Sequence, residues 1–575
     1  MRLAFFLLAV ALIALPAAGD TVLGRIMEAR QAGDLSVDDY ALYCVYSVLA
    51  PDRLPSGLTE GAISDPCGTP AIHEAELLLD DVSAEVRAEI VSLLARPSLS
   101  GPEYTYDTPG GNFKVHYTTS GVDATTLAWA QFLGDGFDWS WEHECDDMGW
   151  DEPPSDLGLG GDEKYDIYIL QLTGGTLGYT SSSGEPGDPT TPENDSASHI
   201  AMSNNQSYGQ ELMSGTCSHE FQHAIQMGYD KAELTWFMEN CATWMENECW
   251  DDYNTYTDHL HSGDNCLRKP WWRIDSGPMY WYGATPWPMY IQNRCAGQAS
   301  VRMTWEEMAA VTTQNTWEAL DATADHYGMS LAEWVAEYAY WRWFTGPQAD
   351  DEHYDYDEAS LWTPGPYIFY YHNVTSLPWS GDQGVYPPET RGHHWIKVDV
   401  SSYQGWITFD FDGRDYMDFV IGAIRTKDSG DEMYQYWNVT EVPATFSVGV
   451  ETTGYDEVVF VVQAVTQTSI DQDYVANITY QTGVEEGESP AAVSLAPAAN
   501  PMTAGQAVEI YLPQSGWTTL SVFDLTGRLV ESIYSGQLDQ GQHSVVWGAE
   551  GLSSGTYFLR LFAPGGAATS RVVLN

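Results

Sequence analysis

Hydrophobic positions along the 575-residue chain change period several times, and each change marks a new element. Leu42, Val45, Tyr46 and Leu49 recur at helical spacing, and a second apolar pattern of that kind runs over 75–94. Residues 20–103 therefore read as a helical segment, closed by Pro97 and the Gly101-Pro102 pair. From Tyr104 the texture becomes alternating. Strands are expected at 112–117 and 165–170, with a helix over 123–141 between them and a short strand at 199–202. A strand in that last position would edge a cleft and pair with an extended peptide through backbone groups alone. Residues 173–195, rich in Gly, Ser and Pro, read as a long loop on the cleft rim. Residues 330–344 form a helix whose stripe of Leu331, Trp334, Val335, Tyr338 and Trp341 belongs to a core. Period-two alternation dominates 365–484, which reads as a β-sandwich. Residues 485–499 are a linker, and 500–575 hold short strands at 508–512, 519–525, 545–547 and 557–561 between glycine turns. The expected fold class is multidomain: an α+β domain over 104–364, then an all-β sandwich, then a small β domain.

Composition narrows the partners. The chain carries 23 basic and 82 acidic residues, a net charge of −59. Nucleic acid and anionic membranes are disfavoured as partners by repulsion. A solubilising surface accounts for the charge most simply, and a salty habitat or bound Ca2+ would account for it too. Residues 1–19 read as a secretory signal peptide, with Arg2, an apolar run from Leu3 to Leu15, and small residues Ala17, Ala18 and Gly19. No other apolar run is long enough to span a bilayer, so no transmembrane segment is expected after signal removal. Eight cysteines suit an exported protein. Six of them, Cys145, Cys217, Cys241, Cys249, Cys266 and Cys295, gather around one motif, and disulfides bracing it are the expectation.

That motif is His219-Glu220-Phe221-Gln222-His223. Imidazoles at i and i+4 leave one helical face together and can grip one metal ion, with a glutamate beside them as general base. Zinc held by two histidines needs a third protein ligand. In the helical stretch 236–246, Glu239, Ala242, Thr243 and Glu246 share a face. A turn near Gly228 would bring Glu239 opposite His219 and His223, with Glu246 two turns on to orient a ligand histidine. Cys241 and Cys249 lie off that face and read as structural. Zinc would acidify its water, Glu220 would take the proton, and the peptide carbonyl would be attacked.

The H-E-x-x-H, followed by Trp236-x-x-Glu239-x-x-Ala242-Thr243, resembles the gluzincin clan of zinc metallopeptidases. With HEFQHAIQ, WFMENCATWMEN and Tyr282-Gly283-Ala284, residues 104–346 are similar to a family of secreted bacterial metallopeptidases distantly like immune inhibitor A. The resemblance implies a zincin-type fold for the α+β domain, His219, His223 and Glu239 as zinc ligands, and Glu220 as base. It further implies a tyrosine or histidine that stabilises the oxyanion, with Tyr282 the first candidate and Tyr280 the second. Aminopeptidases of the clan place asparagine before the third ligand, where this chain has Met238. Thermolysin-like enzymes place aspartate four residues after it, where this chain has Thr243.

The helical segment reads as a pro-segment. Its Cys67-Gly68-Thr69-Pro70 resembles the cysteine switch of matrix metalloproteinases, with Pro66 where that motif has a basic residue. A Cys44–Cys67 disulfide accounts for Cys67 with less machinery. At the other end, Asn500-Pro501, SVFDLTGRLVESI, SSGTYFLRLF and SRVVLN resemble type IX secretion sorting domains and flagellar hook-capping Ig-like domains. That resemblance implies outer-membrane secretion machinery as a partner and a secreted or cell-surface location. The leading expectation is a secreted zinc endopeptidase made as a zymogen and acting on proteins or peptides. An aminopeptidase of the same clan and a non-catalytic surface adhesin are the alternatives.

Overall fold

The computed structural model describes residues 21–187, 194–261, 264–350, 353–354, 356–362, 370–384, 386–427, 432–439, 444–466, 472–480, 493–497, 501–503, 505–513, 516–523, 529–549, 552–563 and 566–574. The signal peptide, the first part of the linker, Asn500 and the 525–528 turn lie outside them. Two compact units emerge. One comprises the chain up to Lys269 with Ile274–Thr323 and the segment from Thr345, and the other comprises Pro270–Arg273, Ala324–Phe344 and the chain from residue 366.

In the first unit five helices come first: α1 (Val22–Gln31), α2 (Val37–Leu49), α3 (Ser56–Thr59), α4 (Thr69–Glu76) and α5 (Ala84–Leu93). Thr21, Ser36 and Ser83 cap α1, α2 and α5, each side-chain oxygen accepting from a first-turn N–H, a contact contributing about 1 kcal/mol. The expected face of α2 is rotated. Tyr40, Ala41, Cys44, Val45, Ser47 and Val48 are the buried positions, whereas Tyr46 stays half-exposed and donates to Glu89 at 2.6 Å. The apolar pattern over 75–94 is two helices, because Ser83 starts a new one.

A five-stranded sheet follows, in the order β1-β2-β3-β5-β4, built from β1 (Glu103–Asp107), β2 (Phe113–Thr118), β3 (Tyr165–Leu170), β4 (Gly178–Ser181) and β5 (His199–Ser203). β2, β3 and β5 are parallel, and β1 and β4 are antiparallel to their neighbours. Helix α6 (Leu127–Trp141) makes the crossover from β2 to β3, as a parallel pair requires. The strand expected to edge the cleft, β5, is interior. The edge is β4, which lies inside the stretch expected to be loop. With four residues and a glycine, β4 is too short to show a period.

Helices α7 (Gln210–Tyr229) and α8 (Thr235–Cys249) come next, then α9 (Thr257–His261), α10 (Pro278–Tyr282), α11 (Pro286–Arg294), α12 (Gln298–Ala309) and α13 (Thr316–His326). Phe221 fastens α7 to the sheet, its ring within 5.3 Å of Phe113 and 5.5 Å of Trp141. Burying such a side chain contributes roughly 1.5–3 kcal/mol. Gly136 lets α6 approach α7 closely, since a Cβ there would meet the Cys217 sulfur at 3.0 Å.

Most of the expected disulfides are not formed: Cys44, Cys67, Cys145, Cys217, Cys241 and Cys249 are buried and unbridged. Buried thiols pack as small apolar side chains. Cys44 does so on the inner face of α2 and Cys217 against α6. The Cys44–Cys67 bridge is therefore not formed.

In the second unit, β6 (Tyr370–Val374), β7 (Trp379–Asp382), β8 (His393–Asp399), β9 (Trp406–Gly413), β10 (Phe419–Thr426), β11 (Glu432–Val439), β12 (Thr445–Glu451), β13 (Glu457–Ala464) and β14 (Tyr474–Tyr480) form two sheets. Their orders are β11-β10-β13-β8-β6 and β12-β9-β14-β7. Inward-facing Ile396, Val398, Phe409, Phe411, Ile421 and Phe460 share one core, so the sandwich expected for 365–484 is present. Helix α14 (Leu331–Trp341) starts at a Ser330–Glu333 capping box. It belongs to this unit rather than to the 104–364 domain, because Ala339, Tyr340, Trp343 and Phe344 pack on Trp395, Ile424, Val459 and Val461. The final strands are β15 (Ser494–Pro497), β16 (Gln506–Leu512), β17 (Gly516–Phe523), β18 (Leu529–Leu538), β19 (Gly541–Trp547), β20 (Gly555–Ala563) and β21 (Gly566–Leu574). They form a three-stranded and a four-stranded sheet around Val508, Ile510, Leu520, Val522 and Leu559. The end of the expected linker is thus a strand, β15, paired with β16.

Candidate metal centre

Helices α7 and α8 run side by side and present three ligand-type side chains to one point. His223 Nε2 lies 2.9 Å from Glu239 Oε1, and His219 Nε2 lies 3.4 Å from Glu239 Oε2. The two imidazole planes are nearly perpendicular, with centroids 4.9 Å apart. All three side chains are fully or almost fully buried.

The tautomers follow from the partners behind each ring. His219 Nδ1 donates to Glu246 Oε1 at 2.9 Å, and Glu246 Oε2 accepts from the Thr255 hydroxyl at 2.8 Å. Gln226 donates its amide N–H to the Met238 carbonyl at 3.0 Å, which turns its oxygen to His223 Nδ1 at 2.8 Å. Both Nε2 atoms therefore carry lone pairs directed inward. Glu246 takes the supporting place that Thr243 does not: the Thr243 hydroxyl is bound to the Glu239 carbonyl of its own helix. Gln226 was not anticipated. Its signal is its position three residues after His223, on the same face. Losing a partner behind a ligand histidine lowers metal affinity about 10–100-fold; Glu246→Ala is expected to weaken any zinc binding by that factor, read in competition with a chromophoric chelator.

The donor set fits zinc. His219 Nε2 and both Glu239 oxygens are buried with no hydrogen-bond partner; their close approaches lack hydrogen-bond geometry, as lone pairs facing a shared point must. An unmade buried hydrogen bond costs about 1–3 kcal/mol, and a cation at that point satisfies all of them. Two imidazole nitrogens and a carboxylate, with one further position, are a zinc ligand set. In the metal-free chain burial opposes charge on Glu239, yet its carboxyl is held well below its ordinary range by His223 and His219. Burial alone would lower the His219 imidazole, but Glu239 and Glu246 push it well up.

Glu220, from the same α7 turn, is fully buried. Its Oε2 accepts from the Thr180 hydroxyl at 3.0 Å and the Thr69 hydroxyl at 3.1 Å. Gly178 of β4 packs over it, and a Cβ there would meet Glu220 at 2.9 Å. Tyr282, on α10, lies flat over His219 with centroids 6.1 Å apart, and its hydroxyl has no hydrogen-bond partner. Burial first, then the charges of Glu239 and Cys67, push its pKa well up, which keeps the hydroxyl a donor. The Tyr280 hydroxyl instead donates to the Lys269 carbonyl, so Tyr282 and not Tyr280 faces the cluster. Cys241 and Cys249 are buried away from the ligands, Cys249 beside Glu144 at 3.9 Å.

Cys67, from the helical segment, completes the group. Its sulfur and the ligand atoms of His219, His223 and Glu239 all lie within 4.8 Å of one another.

No protein-family model matches the chain, and no curated protein matches it. Among solved structures it is similar to PorZ, a bacterial surface component of the type-IX secretion system of Porphyromonas gingivalis, at 14% identity and TM-score 0.12 over 27% of this chain and 25% of that one. It is similar to the adhesin domain of Epf from Streptococcus pyogenes at 10% identity and TM-score 0.13, over 35% and 74%. A Faecalibacterium prausnitzii β-glucuronidase matches at 10% identity and TM-score 0.12, over 32% and 36%. The chain thus spans about a quarter of PorZ and about a third of the glucuronidase. At such TM-scores these likenesses carry no functional argument, and the chemistry rests on the site itself.

Proposed function

We propose that the first unit is a gluzincin-type, zincin-fold endopeptidase that uses zinc held by His219, His223 and Glu239 to hydrolyse internal peptide bonds. The observation that carries the reading is the set of buried, unpartnered lone pairs on His219 and Glu239, aimed at one point with Glu220 beside it. When bound, zinc supplies a Lewis acid that acidifies water and polarises a carbonyl. Glu220 Oε2 takes the proton of the attacking water and returns it to the departing amine. The Tyr282 hydroxyl donates to the carbonyl oxygen as charge builds there. Exclusion of bulk water by the buried walls strengthens both contacts.

An endopeptidase is favoured over an aminopeptidase because chain already passes through the cleft as an internal segment. Residues 66–69 lie along β4 with the polypeptide continuing on both sides. Once residues 66–69 leave it, the edge of β4 offers backbone pairing to an extended peptide. Export by the residue 1–19 signal, synthesis as a zymogen and a sorting role for residues 500–575 complete the proposal. Among the described residues no helix is long and apolar enough to cross a membrane.

The test is a peptide-library digest by the full chain activated by limited proteolysis. Internal cleavage is expected, lost with a chelator and restored by Zn2+. Release of amino-terminal residues alone, or cleavage indifferent to the chelator, would sink the reading.

A further inference from the structure

The helical segment does more at the cleft than cover it. The Leu177 N–H donates to the Pro66 carbonyl and the Gly68 N–H donates to the Gly178 carbonyl, both at 2.8 Å. These bonds lay residues 66–68 along the outer edge of β4 in parallel, with Cys67 opposite Gly178. The strand therefore occupies the edge a substrate backbone would use. Gly68 has to be glycine for this fit, since a Cβ would meet Val48 at 2.7 Å and Tyr179 at 3.0 Å.

Two adjacent side chains then reach the two reactive positions. The Cys67 sulfur, 3% exposed, stands 3.6 Å from His223 Nε2 and packs with Met279 and Tyr282. The Thr69 hydroxyl donates to Glu220 Oε2 at 3.1 Å, while its oxygen accepts the Thr180 N–H at 2.8 Å. Helix α4 begins at Thr69 and pins this corner to both walls of the cleft. Glu74 accepts from the Thr235 hydroxyl of α8 at 2.8 Å. Glu76 accepts from Ser181 and Ser182 at 3.0 Å each. His73 Nε2 donates to the Glu233 carbonyl at 2.8 Å.

We propose that residues 66–69 are a two-point intramolecular inhibitor: Cys67 is the fourth protein ligand to the metal, and Thr69 ties up the general base. The inference rests on the zinc reading of His219, His223 and Glu239 and adds how that site is kept latent. On ligation the thiol gives its proton to solvent and the sulfur lone pair fills the fourth position. On release a water molecule takes that position, the sulfur recovers a proton, and Glu220 loses its Thr69 partner in the same movement. Neither block can lift alone, because one residue separates them and α4 holds both.

The test uses the full chain with Co2+ in place of zinc. Wild type is expected to bind one metal ion per chain and to show a near-ultraviolet sulfur-to-cobalt charge-transfer band. Cys67→Ser is expected to keep the ion and lose the band. In a second measurement that needs no variant, Cys67 in the native chain is mapped by mass spectrometry after iodoacetamide treatment. It is expected to resist alkylation with metal bound and to react once a chelator strips it, with the other cysteines unchanged. Bound metal without the band, or alkylation indifferent to the chelator, overturns the latch and leaves the zinc reading standing. A wild-type chain that binds no metal overturns both.

Discussion

Glu220→Gln lowers peptide hydrolysis by the activated chain by about 10²–10⁴-fold, the usual contribution of a positioned general base, and leaves zinc content unchanged. The substitution is nearly isosteric, and the amide can still accept the hydroxyl proton of Thr180, which lies at 3.0 Å. The helix, the sheet contact at Gly178 and the three ligands are therefore undisturbed, and only the capacity to hold a proton is removed. KM should change little, because Glu220 is asked to act in the transition state rather than in substrate binding. Metal analysis of the purified variant and kcat measured on a library-derived peptide check the two halves. Full activity in the variant would place the base elsewhere, and lost zinc would make Glu220 a structural support of the site.

The site was more legible in the chain than the architecture around it, for a physical reason. His219, Glu220 and His223 are fixed relative to one another by the 3.6-residue period of a single helix, and Glu239 and Glu246 by the same period in the next. Only one unknown, the return of α8 on α7, separated the sequence from the geometry, and the short 230–234 connection left little freedom there. The neighbours were harder. Thr180 and Gly178 come from a four-residue strand that carries no readable period. Cys67 and Thr69 lie about 150 residues before their partners, a separation no spacing rule spans. The cysteine content suggested disulfides, yet Cys44, Cys145, Cys217 and Cys241 are buried without a bridge. Helix α14 was recognised by its capping box and stripe, but its surface partner, a sheet face formed by residues far downstream, was not. Periodic elements declare themselves; the surface each one packs on is set by distant residues.

The same limit hid a buried charge cluster, and its removal has a large expected effect on stability. Arg96, at the end of the helical segment, inserts its guanidinium among three buried carboxylates. It binds Asp156 at 2.6 Å and Glu185 at 2.8 and 2.9 Å, and makes a close ion pair with Asp166. The side chains of Asp156, Asp166 and Glu185 are 7%, 1% and 2% exposed, so water cannot replace the cation. His116 and His199 only border the group, through Asp166 and Glu185. Arg96→Ala leaves buried negative charges facing one another and is expected to destabilise the first unit by about 3–5 kcal/mol, read as a lower midpoint in urea. The loss depends on pH in a definite direction. In wild type, burial raises Glu185 but His199 and Arg96 outweigh it and lower its pKa; that contribution is present above the unfolded value and lost as pH falls through the folded one. Asp156 already shows the opposite sign, pushed up to about 6 by burial against the pull of Arg96, so protonating it on acidification favours the folded state. Without Arg96 the carboxyls of Asp156 and Glu185 move that way, and lowering the pH from 8 to 5 should restore stability to the variant. The deficit against wild type therefore shrinks on acidification; a deficit that is constant or grows would mean that Arg96 contributes packing rather than charge.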